Sequence, residues 1–482
     1  MFQRDICRLL TVATVLLASV LVLVPAGALA QAPESAEGRL LTLRDCVRIA
    51  MESSANIRIR QAEFEIADDN VQESWGAFLP DLSINGSYGK TDRTDYDSEQ
   101  TEYGVYDRGF ETVGGDSVYI PTPIPVGTTV GDVDVHSKSK GFGAAANLNL
   151  FDGLANINQL KSSKAYREAA VLNEGYTREE VIQRVAVAYY NVLRYTQLKD
   201  VAEETRDEAA ALLERTETYF RLGSAAKSEV LQQRVRLEQT RYDLVVAENA
   251  LEMAVADLAF AMNQPLAARV EIDTSPLQTE MVLEDVNLLY SEALGNRLDL
   301  QSSQYGVDAA EHSASAASGN FWPRIDVYGR YQKSFDESPY KFGAQTSDYL
   351  SYGAQANWQV FNRFQNFTNR SKAKAQARIA EYNHEQSELN AQIEVRQYHN
   401  AMRASIEKHK VATETISQAE EEVRLAQERF RVGAGTQLDR INAEVSLASA
   451  RAEEVQAMCD YLISRAQLWR ATGRYSQLGL DQ

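Results

Sequence analysis

Hydrophobic and polar positions follow the same order twice along the chain. Apolar residues spaced three and four apart predict helices over residues 42–78, 154–221, 225–263, 285–321, 364–431 and 435–473. After the first helix of each set, apolar and polar residues alternate, which predicts two strands joined by a loop. Each set therefore has the order helix, strand, loop, strand, long helix, turn and helix.

Short sequence matches indicate that the two sets are copies of one unit. Residues 79–82 (LPDL) match residues 322–325 (WPRI) at an offset of 243, and residues 147–152 (NLNLFD) match residues 357–362 (NWQVFN) at an offset of 210. The offset falls by 33 between these landmarks, so the first copy carries about that many extra residues, in the segment 91–138.

These matches divide the chain. The predicted parts are a signal peptide (1–30), an N-terminal segment (31–41), repeat 1 (42–263), a connector (264–284), repeat 2 (285–473) and a C-terminal tail (474–482). The signal peptide is predicted from Arg4 and Arg8, the apolar run that follows them, and the small-residue site around Ala28 and Ala30. We therefore expect export through the inner membrane.

The long helical patterns predict antiparallel coiled coils. Leucine or valine recurs every seven residues from Val230 to Leu258, and alanines fill much of the same seam. At 1.5 Å per residue each long segment spans roughly 100 Å, and the two shorter helices of each copy, placed end to end, span about the same length. The short helices are therefore predicted to pack in series beside a long one.

The four predicted strands have about the 9–11 residues needed to cross a bilayer at a tilt. Phe321, Trp322 and Phe361 lie at strand ends, where an aromatic belt would contact lipid. An open sheet cannot stand in lipid, because its edge N–H and C=O groups would stay unpaired. Closure into a barrel requires oligomerisation, and both a dimer with eight strands and a trimer with twelve satisfy this requirement.

Composition restricts the partners and the chemistry. Acidic residues outnumber basic residues by 68 to 49, which argues against nucleic acid as a partner. Cys46 and Cys459 lie on apolar stripes and are predicted to be small core residues. The sequence lacks a phosphate-binding loop, a nucleophile elbow and paired metal-ligand spacing, so we predict no catalytic site, no cofactor and no metal site.

Each long helix ends in an aromatic-basic-apolar-glycine turn, at residues 219–225 and 429–436. Gly223 and Gly433 are placed as C-terminal glycines of the helices, and Arg221 and Arg431 complement the negative helix ends. Both turns are therefore predicted to be helix-hairpin tips.

The duplicated plan, the Leu-Pro or Trp-Pro entry to each first strand, the Phe-x-x-Gly tips and the Thr436-x-x-Asp439 pattern resemble the TolC-type outer-membrane efflux protein family. The resemblance covers about residues 41–473. It implies a mainly helical chain with four strands. Three chains would close a twelve-stranded barrel in outer-membrane lipid, continued by a helical tunnel across the periplasm. The implied function is conduction of substrates from an efflux pump or a type I secretion system.

The resemblance also implies roles for the tips. Family members dock their tips on a periplasmic adaptor, or membrane fusion, protein that connects them to an inner-membrane transporter. In this chain the docking residues would be Arg221, Leu222, Gly223, Arg431, Val432 and Gly433.

Asp439 has two interpretations. It completes a capping box with Thr436, and the resemblance places it at the narrowest part of the tunnel, where three copies would favour cations. The family often has a second carboxylate where this chain has Asn442, and a tyrosine where it has Phe430, so a weaker constriction without that hydroxyl is expected. Glu229 and Gln232 are the matching residues in the first copy.

The segment 91–138 holds ten acidic residues against Arg93, Arg108 and Lys138, and is predicted to be a solvated extracellular loop over the barrel mouth. Binding of divalent cations by this loop is a second interpretation. The alternative for the whole chain is a secreted or surface coiled-coil protein with a structural or binding role and no channel. That alternative explains the heptads but not the four strands placed alike in both copies.

Overall fold

The computed structural model describes residues 40–106, 110–113, 116–119, 122–265, 272–273, 280–337 and 345–475. The predicted signal peptide and most of the N-terminal segment and the C-terminal tail lie outside these ranges, as does part of the connector.

The helices of the two copies have nearly equal lengths. The first copy contains α1 (Leu43–Ser53), α2 (Ala55–Gly76), α3 (Ala155–Arg221) and α4 (Lys227–Ala261). The second copy contains α5 (Val286–Asn296), α6 (Leu298–Ser318), α7 (Gln365–Arg431) and α8 (Gln437–Ala471). The four long helices match their predicted ranges to within two residues at either end.

The first helix of each copy is broken, where the sequence pattern predicts one continuous helix. Ser54 separates α1 from α2 with φ −59° and ψ 122°, and Arg297 separates α5 from α6 with φ −65° and ψ 121°. The two breaks lie 243 residues apart, which is the offset of the repeat. Arg297 is held by Asp299 and Glu394, each at 2.7 Å, so tertiary contacts fix this break without a proline or glycine at it.

The longer strands are β1 (Asp81–Tyr106), β4 (Thr122–Phe151), β5 (Arg324–Glu337) and β6 (Gln345–Asn357). They form one antiparallel sheet in the order β1-β4-β5-β6. Strand β4 of the first copy pairs with β5 of the second, with Ala145 opposite Arg330. Strands β2 (Phe110–Val113) and β3 (Asp116–Tyr119) form a separate hairpin.

Most of the segment predicted as a loop, residues 91–138, is strand in the structure. The β1–β4 pairing continues from Asp81 opposite Asn147 to Tyr106 opposite Thr122. The apolar alternation that predicted β1 stops at Tyr88 because residues 89–102 of that strand are polar or glycine apart from Tyr96. Main-chain pairing does not need an apolar face outside lipid, so sequence alternation underestimates the length of these strands.

The helices pack as a layer in which α3 contacts both α4 and α8, and α7 contacts α8 on the far side. Beside the sheet, α3 packs on α2 and α6, and α6 also packs on α7. Much of the α7–α8 contact is alanine, including Ala443, Ala450 and Ala457, each at most 2% exposed. Small side chains let these helix axes approach closely, as the sequence predicts.

The core lies around the middle of the long helices, where the short helices α1 and α5 cover them. Its fully buried members include Tyr189, Leu258, Leu289 and Leu462, and burial of each of these leucines stabilises the fold by roughly 1.5–3 kcal/mol. Cys46 and Cys459 are buried thiols, as predicted. Burial raises the pKa of Cys46 to about 12 and that of Cys459 to about 11, so both stay protonated at neutral pH.

Across the described residues, the helices are too short or too polar to be candidates for a membrane span.

Candidate functional site

Both long helices end in the same hydrogen-bonded turn. Ser224 donates its backbone N–H to Tyr219 O at 2.9 Å, and Ala434 donates to Arg429 O at 2.8 Å. Gly223 and Gly433 have φ of 76° and 77°, the left-handed conformation that closes a Schellman motif. An added Cβ at either glycine would meet nothing within 4 Å, so backbone conformation alone accounts for the glycine.

The turns leave their apolar residues in solvent. Leu222 is 75% exposed and Val432 is 68% exposed, and both follow an exposed arginine. Arg221 donates to Thr218 Oγ1 at 3.0 Å, and Arg431 pairs with Glu428 at 2.8 Å, each within its own helix. The tips therefore present an apolar side chain beside a basic one, and their role in docking stays a prediction.

Asp439 forms the capping box at the start of α8. The backbone N–H of Thr436 donates to Asp439 Oδ2 at 2.8 Å, and the backbone N–H of Asp439 donates to Thr436 Oγ1 at 3.2 Å. The hydrogen bond from the Thr436 backbone lowers the pKa of the exposed Asp439 carboxyl. The structural interpretation of Asp439 is thus observed, and its role in a constriction stays a prediction. Asn442, one turn further, is also exposed.

The first tip lacks this cap. Ala226 precedes α4 and has no side chain that can accept the bonds, although Glu229 stands where Asp439 stands in the second copy. Gln232 is exposed and lines a groove between α4 and α8 with Leu231, Val235, Arg236, Gln239, Leu438 and Ile441. The structure therefore brings Gln232 near the helix turn that carries Asp439 and Asn442.

Sequence reasoning missed Arg440 and Glu444 on α8. The Arg440 guanidinium lies 5.1 Å from the centre of the Phe430 ring, in cation–π contact, and 3.7 Å from Glu444. The half-buried ring of Phe430 is therefore held by this contact with the Arg440 cation, and it has no hydroxyl that could form a hydrogen bond. The signal was available, because Arg440 occupies the position of buried Val230 in the first copy, and a charged residue in a coiled-coil seam is unusual.

The positive charge of Arg440 is only partly compensated by neighbouring groups. Its Nε and Nη2 atoms have no hydrogen-bond partner among the described residues. Burial and the nearby Arg215 of α3 lower the pKa of Arg440. Burial, followed by Glu208 of α3, raises the pKa of Glu444 against the opposing effect of Arg440 and Arg236. The contact between α3 and α8 near the tips therefore contains a desolvated ion pair, which stabilises less than apolar packing would.

Comparison with known proteins shows which family has this architecture. A sequence model described as "Outer membrane efflux protein" matches residues 47–264 and 289–474. The outer membrane protein TolC of Vibrio cholerae is 26% identical over 306 residues, which are 62% of this chain and 69% of that protein. TolC of Escherichia coli K12 is 21% identical over 450 residues, 89% of this chain and 81% of that protein.

A solved structure of CusC superposes with a TM-score of 0.72 at 18% identity, covering 89% of this chain and 92% of that one. This likeness confirms the predicted fold class of long helices with four antiparallel strands. The family consists of channels, so the prediction that the protein is not an enzyme also holds. Because the matched ranges contain both repeats, the chain belongs to the outer membrane efflux protein family.

Proposed function

We propose that three copies of this outer-membrane efflux channel form a closed barrel and a helical tunnel across the periplasm. The two tips of each copy would form the periplasmic mouth and dock on an adaptor protein linked to an inner-membrane transporter. Export through a cleaved signal peptide, residues 1–30, belongs to the same proposal.

The unpaired outer edges of the sheet carry this proposal. Within the described residues, β1 pairs only with β4, and β6 pairs only with β5, so both outer strands keep a free edge. In lipid each edge requires a partner, and neighbouring copies supply one to each. Three copies give twelve strands and leave a lumen, whereas two copies give eight strands with an interior that side chains fill. Conduction therefore favours the trimer.

Exposed apolar side chains support the same assembly. They include Ile59 and Ile66 on α2, Tyr242 and Met253 on α4, and Leu389 and Ile393 on α7, all at least 55% exposed. Helices α4 and α7 are the two ends of the helical layer. Apolar surface at both ends of a layer is what a closed ring would bury.

A belt of aromatic residues supports contact with outer-membrane lipid. Trp322, Trp358 and Phe361 are each at least 60% exposed, near the ends of β5 and β6. Trp358 donates its indole N–H to Phe321 O at 3.1 Å, which leaves its ring on the surface. Such rings concentrate at the level of lipid headgroups.

At the mouth, three copies of Asp439 would add their charge to the lumen and favour cations. Glu229 would add its charge from the first tip, whereas Gln232, Asn442 and Phe430 add none. This constriction is therefore expected to be weakly selective.

Conductance of the purified protein in planar bilayers, with its mass in detergent, tests the proposal. We expect a trimeric mass, cation-selective current steps, and reduced cation selectivity in Asp439→Ala because the mouth loses three charges. Asp257→Ala removes the same charge from the exposed far end of α4 and serves as the matched control. It should leave selectivity unchanged.

A monomeric protein without conductance would contradict the proposal and favour the coiled-coil structural alternative. Unchanged selectivity of Asp439→Ala with lower thermal stability would assign that carboxylate to capping alone.

A further inference from the structure

One face of the four-stranded sheet is apolar over most of its height. Residues that stand opposite one another across the strands form rows, and one row of this face contains Leu82, Ala146 and Tyr352. The other face carries polar residues in its rows, such as Asn85 and Gln332. In the barrel proposed above, the apolar face must therefore contact lipid, and the polar face lines the lumen.

The apolar face ends in lysines on the side away from the helices. Lys90 of β1 stands opposite Lys138 of β4, and Lys140 follows two residues later on the same face. Lys333 of β5 lies in the next row, opposite Phe142. Directly opposite residues have Cβ atoms about 5 Å apart, and diagonal neighbours lie about 7–8 Å apart. Four lysine side chains therefore share one small area of the lipid-facing surface.

The sheet separates its basic residues by face. Among the described residues of its four strands, every lysine lies on the apolar face. The arginines lie on the lumen face, at Arg93, Arg324 and Arg330. The lysine cluster, defined as Lys90, Lys138, Lys140 and Lys333, is therefore a feature of the lipid-facing surface alone.

The height of the cluster matches the edge of a bilayer. Phe335, which stands opposite Lys140, lies ten residues after Ile325 in β5, and Ile325 is close to the aromatic belt beside the helices. Ten residues span roughly 34 Å along a strand, or about 26 Å along the membrane normal at a tilt of about 40°. This distance is about the height of the apolar band of a membrane barrel. The lysines thus lie at the level of the far headgroups.

Carboxylates flank the cluster on two sides. Lys90 Nζ lies 2.9 Å from Asp92, and Lys333 Nζ lies 3.4 Å from Asp348. Further along the hairpin, the same face carries Asp134, so the positive charge ends there. The basic level is therefore narrow, as a single layer of anionic headgroups requires.

The centre of the cluster keeps its charge. Lys138 and Lys140 are exposed and form no ion pair within the described part of the chain, although Glu337 stands opposite Lys138 in the register. Tyr88 and Phe335 flank Lys140 in its row. Because like charges directly opposite on a sheet repel, the Lys90 and Lys138 positions also favour a bound anion between them.

We infer that the lysine cluster binds the phosphate of an outer-leaflet lipid, whose acyl chains lie on the apolar rows below it. Lysine binds phosphate as a point charge, and clustered basic residues attract anionic headgroups. This inference rests on the function proposed above, because only a barrel in the outer membrane exposes this face to lipid.

The apolar rows favour a lipid over a free anion. Phe142 follows Lys140 by two residues on the same face and is 47% exposed. Ile84 and Leu350 lie in the next row and are 77% and 67% exposed. Acyl chains attached to the phosphate would cover these side chains, whereas a free phosphate ion would leave them in water.

Lipid binding by the purified full-length protein tests the site. The probe is lipid A with both phosphates, the comparison probe is the same lipid without phosphates, and native mass spectrometry counts the bound lipids during a titration. Lys138→Gln with Lys140→Gln removes the two unpaired charges, and Lys138→Arg with Lys140→Arg keeps them. Lys372→Gln with Lys374→Gln is the matched control, because it removes two exposed lysines at the same spacing from α7.

We expect the double glutamine variant of the cluster to bind the phosphorylated lipid roughly 25-fold more weakly than the wild type, because each lysine near an anionic lipid changes affinity about fivefold. The arginine variant and the α7 control should bind it as the wild type does. The lipid without phosphates should bind weakly to all four proteins. Unchanged trimeric mass and conductance show that the variants are folded.

Equal affinity of the glutamine variant and the wild type, or equal affinity for the two lipids, in a protein that conducts would overturn the site and leave the proposed function standing. Displacement of the lipid by inorganic phosphate would indicate a site for a free anion and would also overturn the inference. A monomeric protein without conductance would overturn both the site and the proposed function.

Discussion

The two hairpin tips share a backbone and differ in chemistry. Their glycines have φ values one degree apart, and the helices that follow have 35 residues each. The first tip then continues into buried Val230 without a cap, whereas the second has the Thr436–Asp439 box and the desolvated Arg440. The repeat therefore preserves the turn, and each copy differs in how its next helix is started and held.

The two turns from strand into long helix repeat this contrast. Gly153 and Leu154 in the first copy, and Arg363 and Phe364 in the second, all have φ between 54° and 71°. Gly153 is pressed against Gly319, and this contact requires glycine. Arg363 keeps the same strained conformation with an exposed side chain. The same backbone conformation therefore occurs at a tight internal contact in the first copy and at an exposed surface in the second.

The largest expected effect follows from removing the first of these glycines. Gly153→Ala combines a left-handed alanine, at roughly 1–2 kcal/mol, with overlap at Gly319, at roughly 1–3 kcal/mol. We expect the free energy of unfolding to fall by about 2–5 kcal/mol, measured as a lower midpoint of thermal unfolding in detergent. The matched variant Arg363→Gly relieves strain without creating a contact and should raise the midpoint slightly. Equal effects of the two variants would contradict the contrast between the turns.

A second, smaller effect concerns the caps. Thr436→Ala removes the side chain that accepts the Asp439 N–H, and loss of such a cap costs about 1 kcal/mol. In the first copy, Ala226→Thr supplies a threonine three residues before Glu229 and should stabilise α4 by up to about 1 kcal/mol. Hydrogen exchange of the first turn of each helix measures the two changes separately. Slower exchange in α8 after Thr436→Ala would show that the capping box does not stabilise that helix.

The smallest effect is a pH dependence of the second tip. Burial raises the pKa of Glu444, so the folded protein binds the proton of this carboxyl more tightly than the unfolded chain does. The stabilising contribution of Glu444 therefore falls as the pH rises from the pKa of the unfolded chain through the higher pKa of the folded protein. Glu444→Gln removes this dependence, so its unfolding midpoint should exceed that of the wild type more at pH 8 than at pH 5. Arg474 lowers the pKa of Glu284 and gives that residue the opposite dependence, so Glu284→Gln is the control. A difference between Glu444→Gln and wild type that does not change with pH would contradict the desolvation of Glu444.

Much of the fold can be predicted from the sequence because each element occurs in both copies and its pattern can be compared between them. Tip glycines, long-helix limits and the positions of the four strands along the chain are predicted from spacing, because coiled-coil seams and alternation record which face is buried. The breaks at Ser54 and Arg297 were not predicted, because Arg297 is fixed by Glu394, a residue 97 positions away. The extension of β1 beyond Tyr88 is not predicted because residues 89–102 are almost all polar and leave no apolar alternation, although their main chain is paired.

The candidate site was predicted less completely than the fold. The Thr436–Asp439 capping box can be predicted from a local motif, and both of its hydrogen bonds are present in the structure. Arg440 and Glu444 were not predicted because their environment depends on α3. The α3 residues Arg215 and Glu208, which influence their pKa values, lie in another part of the chain. Desolvation depends on which helix covers a side chain, and periodicity along one helix does not specify its neighbour.

The shared turn with unlike neighbours has a consequence for stoichiometry. In the proposed trimer, the ring would display six glycine turns that alternate between a Val230 type and an Arg440 type. A partner that recognises only the backbone of the turn would find six equivalent sites, whereas a partner that recognises side chains would find three of each kind. The number of partner subunits bound around the ring would therefore reveal which of the two features is recognised.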